Sequence, residues 1–374
     1  MRDRLLATRD ALLASPRFQR WAGALPLTRW IARRRASQLF DLVGGFVYSQ
    51  ILLACVRLKL FELLATAPQT RAALAPRLGL TEEAADRLLA AAVALRLVEH
   101  RSGGRYGLGA LGAPLVGNTA LLAMIEHHTT LYADLADPVA LLRGEIKDAA
   151  LAQYFPYTRA EEPGAIEQER VAAYSTLMSA SQPFVASELL DAYDFAKHRV
   201  HLDVGGGEGT FLCSVAQHAP QLKLMLFDLP AVAQRARDRL GNAGLSGRAQ
   251  VFGGSFLTDP LPSGADLITL VRVVHDHDDA RVLTLFRRVR EALAPGGVLV
   301  LAEPMSGTRG AEAMGDAYFG FYLLAMGRGR TRTVQELSNL LLQAGFAAPQ
   351  LLPTRIPLQA KVLLARPATG KHRV

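Results

Sequence analysis

The hydrophobic positions of this chain change their period once. From Leu42 to about Leu115 they recur at helical spacing, whereas from Arg199 short apolar runs alternate with amphipathic stretches. The first pattern predicts packed helices; the second predicts strands and helices in turn, as in a parallel sheet covered by helices. Gln50 to Val56, followed by Leu58, Leu60, Phe61, Leu63 and Leu64, reads as a helix apolar nearly all round. Such a helix over 46–64 predicts burial against a second copy. Thr70–Leu80 and Thr81–Leu95 then read as two helices around Gly79. Thr81 suits an N-cap, and Glu82 and Glu83 suit the positive end of the second helix. Val98-Glu99-His100 and Arg105–Leu108, around Gly103-Gly104, complete a winged helix with a two-strand wing.

Residues 116–197 read as helices without strand signals, broken at Tyr154-Phe155-Pro156-Tyr157 and resuming as a long pattern from Glu167 to Tyr193. Beyond them, strands are predicted near Val200–Val204, Leu222–Phe227, Ala249–Phe252, Leu267–Val271 and Val298–Ala302. Helices fall near Thr210–His218, Val232–Leu240, Asp279–Ala292 and Val334–Ala344. Two last strands, near 350–355 and 360–365, lie close enough in sequence to pair as an antiparallel hairpin. The fold class is therefore α/β. The expected division is an arm over 1–40, a winged-helix domain over 41–115, a helical linker over 116–197 and a ligand-binding domain over 198–368.

Composition narrows this picture. Half of the 374 residues are hydrophobic and a fifth are charged, which excludes disorder and leaves ample material for a core. Two cysteines, Cys55 and Cys213, cannot build a disulfide framework or a cysteine zinc site, so a reducing, cytoplasmic setting is expected. No segment reads as a signal peptide or a membrane span. The net charge of +8 is unevenly placed: residues 1–40 carry nine arginines against Asp3 and Asp10, a net of +7. Leu5, Leu6, Leu12, Leu13, Phe18, Trp21, Leu25, Leu27, Trp30 and Ile31 accompany them, which favours an interfacial helix, or one packed on a dimer partner, over a nucleic-acid arm. The winged helix is not read as a DNA reader. Its second helix would present Glu82, Glu83 and Asp86 to phosphate, whose attraction supplies most such affinity.

Candidate chemistry centres on His201-Leu202-Asp203-Val204-Gly205-Gly206-Gly207-Glu208-Gly209-Thr210. A strand ends, glycines turn and a helix begins, which lets a ligand approach bare backbone. The spacing is G-x-G-x-G, not the G-x-G-x-x-G of dinucleotide sites. Asp203 before the turn and Glu208 within it suit a cationic ligand better than a pyrophosphate. Asp228, 19 residues after Gly209, ends the next strand, where a carboxylate can accept ribose hydroxyls or cap a helix. His275-Asp276-His277-Asp278-Asp279 invites a metal reading, but adjacent residues rarely converge on one ion; a capping role for Asp278 or Asp279 is expected, and no metal.

These segments, with Phe227-Asp228-Leu229-Pro230, Gly253-Gly254-Ser255-Phe256, Ala294-Pro295-Gly296-Gly297 and Leu301-Ala302-Glu303-Pro304, occur in the order of the caffeate-type O-methyltransferases, which the chain resembles over about residues 40–366. The basic arm and Gly-Gly-Ser-Phe resemble the bacterial carotenoid branch of that family, the hydroxyneurosporene (demethylspheroidene) O-methyltransferases. The resemblance implies a class I methyltransferase sheet, a winged-helix dimerisation domain, a homodimer and S-adenosylmethionine as cofactor. It implies His275 as base with Glu303 as its partner acid. The donor would be held by Asp203, Gly205, Gly207, Asp228, Ser255, Phe256 and Ser181, and the acceptor lined by Tyr174, Met178, Phe319, Tyr322 and Met326.

Two departures from the family pattern stand out. Ser255 occupies the place of an acid that grips adenine, and the second acid near the base falls at Thr331. The apolar run Ala317–Met326, with few polar anchors beyond Arg328, Arg330 and Arg332, suits a long hydrocarbon bearing one hydroxyl. The resulting expectation is methylation of the tertiary 1-hydroxyl of an acyclic carotenoid, on or near a membrane reached by residues 1–35. A phenolic or tetrapyrrole acceptor is the alternative within enzymes. A winged-helix regulator sensing S-adenosylmethionine is the alternative outside them, and an NAD dehydrogenase is disfavoured by the loop spacing.

Overall fold

A computed structural model describes residues 1–154, 182, 185–356 and 360–368. The chain forms two compact units, 1–118 and 119–374.

The first unit begins with three helices, α1 (Arg2–Ala14), α2 (Pro16–Ala24) and α3 (Pro26–Arg57). Proline at the first turn of α2 and of α3, and the Ser15 hydroxyl accepting from Phe18 N–H, set these breaks. Nothing in α1–α3 is buried before Leu53, so Phe46 and Val47 are exposed in the single chain rather than buried. The apolar helix expected over 46–64 is also interrupted: Lys59 takes a left-handed conformation (φ 55°) and α4 (Leu60–Thr66) starts afresh. By length and composition α3 could cross a membrane, which the sequence reading had not anticipated.

α5 (Arg71–Arg77) and α6 (Glu82–Ala94) follow, with Thr70 and Thr81 as side-chain caps. Strands β1 (Gln69–Thr70), β2 (Val98–Arg101) and β3 (Arg105–Leu108) form the wing, in the order β1-β3-β2. At the head of α6, Glu82 and Asp86 are paired with Arg71.

The second unit opens with α7 (Thr119–Asp134) and contains a seven-stranded sheet. Its strands are β4 (Val200–Val204), β5 (Lys223–Asp228), β6 (Ala249–Gly253), β7 (Ala265–Val271), β8 (Leu293–Glu303), β9 (Gln350–Leu352) and β10 (Lys361–Ala365). Their order is β6-β5-β4-β7-β8-β10-β9. β4 to β8 pair in parallel, while β10 runs antiparallel to both β8 and β9. Alternate residues serve opposite faces. Ile268 and Leu270 pack with Val282, Phe286 and Leu337, whereas Leu267 and Val271 pack with Phe211, Val215 and Leu240. Chain order reverses between β4 and β7, so a crevice opens at the carboxyl ends of these strands, where α/β sheets bind ligands.

The segment after β7 is braced from across the unit by Arg332. This fully buried guanidinium donates to the carbonyl oxygens of Val274 (3.0 Å) and His277 (2.7 Å) and to Asp279 Oδ1 (2.8 Å). Losing it strands the His277 carbonyl and leaves Val274 O only the 3.3 Å bond from His277 N–H, so Arg332→Met is expected to cost about 2–4 kcal/mol in urea unfolding. A loss below about 1 kcal/mol would show that the brace contributes little.

Candidate active site

The glycine turn follows β4. Gly205, Gly207 and Gly209 all take positive φ (70°, 59° and 79°), which only glycine adopts without strain. A Cβ on Gly205 would lie 2.7 Å from the side chain of Val273, and one on Gly206 2.6 Å from Asp203 Oδ2. The turn is therefore bare backbone pressed against its neighbours.

Two carboxylates converge on it. Asp203 is buried; its Oδ1 accepts from Thr269 Oγ1 (2.6 Å), which also meets His201 Nε2 (2.7 Å). Asp203 Oδ2 is buried with no hydrogen-bond partner. Burial pushes the Asp203 carboxyl up to about 7; the Thr269 hydroxyl opposes the shift and the charge of Asp228 adds to it. Asp228 accepts from Gly207 N–H with Oδ2 and from Leu229 N–H with Oδ1, each at 2.7 Å. Its burial raises the carboxyl to about 6 against those two donors.

Glu208 corrects an expectation. Its carboxylate is clasped by Arg235 and Arg239 from helix Pro230–Asn242, so its charge is neutralised and does not serve a cation. Ser255 is bonded within its own turn: its N–H donates to Asp259 Oδ2 (2.8 Å) and its hydroxyl accepts from Leu257 N–H (3.3 Å). Phe256 is half-buried, with its ring edge-on to His277 at 5.1 Å.

His275 lies just beyond β7, and Glu303 is the last residue of β8. Both are buried. Glu303 Oε2 meets His275 Nδ1 at 2.5 Å, while its Oε1 accepts the N–H groups of Val273 (2.8 Å) and Val274 (2.7 Å). One carboxylate thus fixes both the turn and the ring. Asp276 Oδ1 stands 3.2 Å from His275 Nε2. Burial alone would lower the His275 pKa, but the charges of Asp276 and Glu303, and the Glu303 hydrogen bond, outweigh it and raise the value. Gly329 packs so tightly on the same turn that a Cβ there would lie 2.2 Å from the His275 carbonyl oxygen.

The acidic run disperses. Asp278 caps helix Asp279–Ala292 through Arg281 N–H, and Asp279 pairs with Arg330 and Arg332. Arg328 pairs with Asp278, and Arg330 also with Glu336, so the three arginines are committed to the scaffold rather than free to anchor an acceptor. Thr331 does not replace the second acid: it accepts from Ser306 Oγ and donates to Gly315 O.

Phe319 lies edge-on to His275, with ring centroids 5.8 Å apart. Tyr322 and Met326, on the same helix Phe319–Met326, are buried with Leu323 and Leu131. Tyr174, Met178 and Ser181 lie outside the described residues. Sequence reasoning missed Asp276 as a second acid on the imidazole, although it stands next to the histidine. It also missed Thr269 beneath Asp203, which reads as ordinary strand filler.

Comparison with known proteins agrees with this layout. Residues 132–347 match the O-methyltransferase domain and residues 40–118 the O-methyltransferase dimerisation domain. The chain is 46% identical to a demethylspheroidene O-methyltransferase of Cereibacter sphaeroides, covering 95% of this chain and 93% of that protein. It is 42% identical to the protein so named from Rhodobacter capsulatus, covering 96% and 88%. Among solved structures, human N-acetylserotonin methyltransferase in complex with SAM is similar, with a TM-score of 0.69 and 25% identity, covering 90% of this chain and 98% of that one.

The two acids on His275 make a direct prediction. Followed by NMR, its imidazole should titrate above the ordinary value of about 6.5, and Asp276→Asn should lower the midpoint. A wild-type midpoint at or below about 6.5 would contradict the raised pKa.

Proposed function

The chain belongs to the O-methyltransferase family, and we propose that it methylates the tertiary 1-hydroxyl of an acyclic carotenoid of the hydroxyneurosporene or demethylspheroidene type, with S-adenosylmethionine as donor. The observation that carries the acceptor is the identity of 46% across 95% of the chain to a protein named for that reaction. The site supports the chemistry.

The fit to the donor rests on charge. Two acids, the buried Asp203 with an unpartnered oxygen and the half-buried Asp228, face a turn of bare glycine backbone. A dianionic pyrophosphate would meet repulsion there, whereas a sulfonium nucleoside would return Asp203 to its charged form. Asp228 would hold the ribose, with the amide groups of the turn and Phe256 beside it. Bound there, S-adenosylmethionine supplies an already activated methyl group, so the protein's main task is alignment, which can contribute about 7–11 kcal/mol.

The acceptor hydroxyl must also lose its proton. Nδ1–H of His275 donates to Glu303, which fixes the ring and leaves Nε2 as the basic atom. At low pH both nitrogens are protonated, one facing Glu303 and the other Asp276. Base function is therefore gained as pH rises through the raised pKa of His275 and is lost below it. Phe319, Tyr322 and Met326 would line the acceptor, with Tyr174 and Met178 alongside and Ser181 near the donor.

The dimerisation domain makes the working unit a homodimer. The basic arm serves an acceptor dissolved in membrane. Leu5, Trp21, Leu27 and Trp30 are each more than half exposed among nine arginines, which suits peripheral contact with an anionic cytoplasmic membrane surface.

With labelled S-adenosylmethionine and hydroxylated acyclic carotenoids, the wild-type protein should form the methyl ether, and His275→Ala should lower kcat by about 10²–10⁴-fold. Undiminished turnover by His275→Ala would remove base catalysis, and turnover of phenols alone would replace the acceptor. Deleting residues 1–35 should reduce sedimentation with phosphatidylglycerol vesicles; unchanged partitioning would leave the arm to the dimer.

A further inference from the structure

Two consecutive histidines of α7 reach the aromatic wall beside the base. His127 Nε2 lies 2.8 Å from Tyr322 Oη, and His128 Nε2 lies 2.8 Å from Tyr318 Oη. Tyr318 and Tyr322 stand four residues apart, on one side of the same helical segment. Between them in sequence is Phe319, the ring that touches His275. The rings form one continuous series: Phe319 meets Tyr318 at 5.2 Å and Tyr322 at 6.4 Å, and these meet His128 at 5.5 Å and His127 at 6.0 Å.

We propose that His127 and His128 are positioning residues for methyl transfer: by gripping Tyr322 and Tyr318 they set the rotation of helix Phe319–Met326, and with it the angle at which the acceptor meets His275. This rests on the methyl-transfer reading above.

Three observations support it. First, the segment entering the helix, Ala313–Tyr318, is a π-helix, a rare break in regular helical geometry that recurs at functional sites. Second, His127 and His128 are adjacent on α7 and so diverge by about 100° around its axis. Hydrogen bonds from two diverging side chains to two points on another helix restrain its roll. Third, the pairs are uncharged. Burial pulls His127 down to about 4, with the neighbouring His128 adding to the shift, and burial also lowers His128. Tyr318 is shifted upward by its burial. Phenol and imidazole are thus both neutral near pH 7, and each pair is held by a hydrogen bond between Oη and Nε2.

The alternative is that the pairs only stabilise the fold. The test uses full-length protein, hydroxylated acyclic carotenoid and S-adenosylmethionine. His128→Phe, His127→Phe, Tyr318→Phe and Tyr322→Phe should each lower kcat/KM for the acceptor by about 10–100-fold, the scale of a misaligned reactant. Affinity for S-adenosylhomocysteine by calorimetry, and the acid limb set by His275, should stay as in wild type. The double variant His128→Phe/Tyr318→Phe should be no worse than either single one. His128→Gln, whose amide can still hydrogen-bond the phenol, should recover most of the loss. Tyr318→Phe removes one oxygen only and serves where a histidine variant fails to fold. Unchanged kcat/KM, additive losses, or losses shared with S-adenosylhomocysteine affinity would overturn the proposal. Wild-type turnover in the same assay separates the two readings: its absence overturns methylation of this acceptor, and its presence with unaffected variants overturns only the positioning role.

Discussion

The corner that holds His275 depends on how Glu303 divides its two oxygens. One holds the N–H groups of Val273 and Val274, and the other holds the His275 ring. Because β7 and β8 pair in parallel with Val271 opposite Ala302, the acid arrives beside the turn without any further loop to place it. Sheet register, the most rigid feature of an α/β domain, thereby aims the imidazole. Arg332 on one side and Gly329 on the other close the turn around it. As the proposed base, an imidazole positioned by backbone pairing would lose little ordering entropy at the moment of reaction, which is what preorganisation supplies.

Charge is sorted just as strictly. Glu208, the acid at the mouth of the glycine turn, is cancelled by two arginines, whereas Asp203 and Asp228 have no basic partner among their described hydrogen bonds and are raised instead. A site that keeps two acids near neutrality is primed for a cation and hostile to phosphate. The acceptor side is built from neutral rings. Ligand sign is thus decided by which carboxylates are left uncompensated, not by how many there are.

Much of this was legible in the sequence. β4, helix Thr210–His218 and helix Asp279–Ala292 fall where periodicity and turn residues put them, because each is a strongly patterned element bounded by glycine or a capping acid. The Glu303–His275 pair was legible only through resemblance, since strand-end position says nothing of distance. What sequence could not show were pairings across the fold. Glu208 looked like a ligand because Arg235 and Arg239, a helix away, carry no sign that they fold back on it. Arg332 looked like an acceptor anchor because burial of an arginine is decided by the carbonyls around it. The break at Lys59 was missed because a left-handed lysine leaves no trace in an apolar run.

Placing acids on both imidazole nitrogens has a cost and a return. It holds the proton on His275 longer as pH rises, so less of the base is free near neutrality. Yet methyl transfer from a sulfonium to an alcohol abolishes the donor's charge and releases a proton, and His275 is where that charge would come to rest. Flanked by Glu303 and Asp276, the imidazolium is stabilised as the product state forms. A tertiary alcohol is a poor acid, so a base made stronger by its neighbours suits it better than the unperturbed histidine that would serve a phenol. The second carboxylate, lost at Thr331 and regained at Asp276, is thus the feature of this site most closely matched to its proposed acceptor.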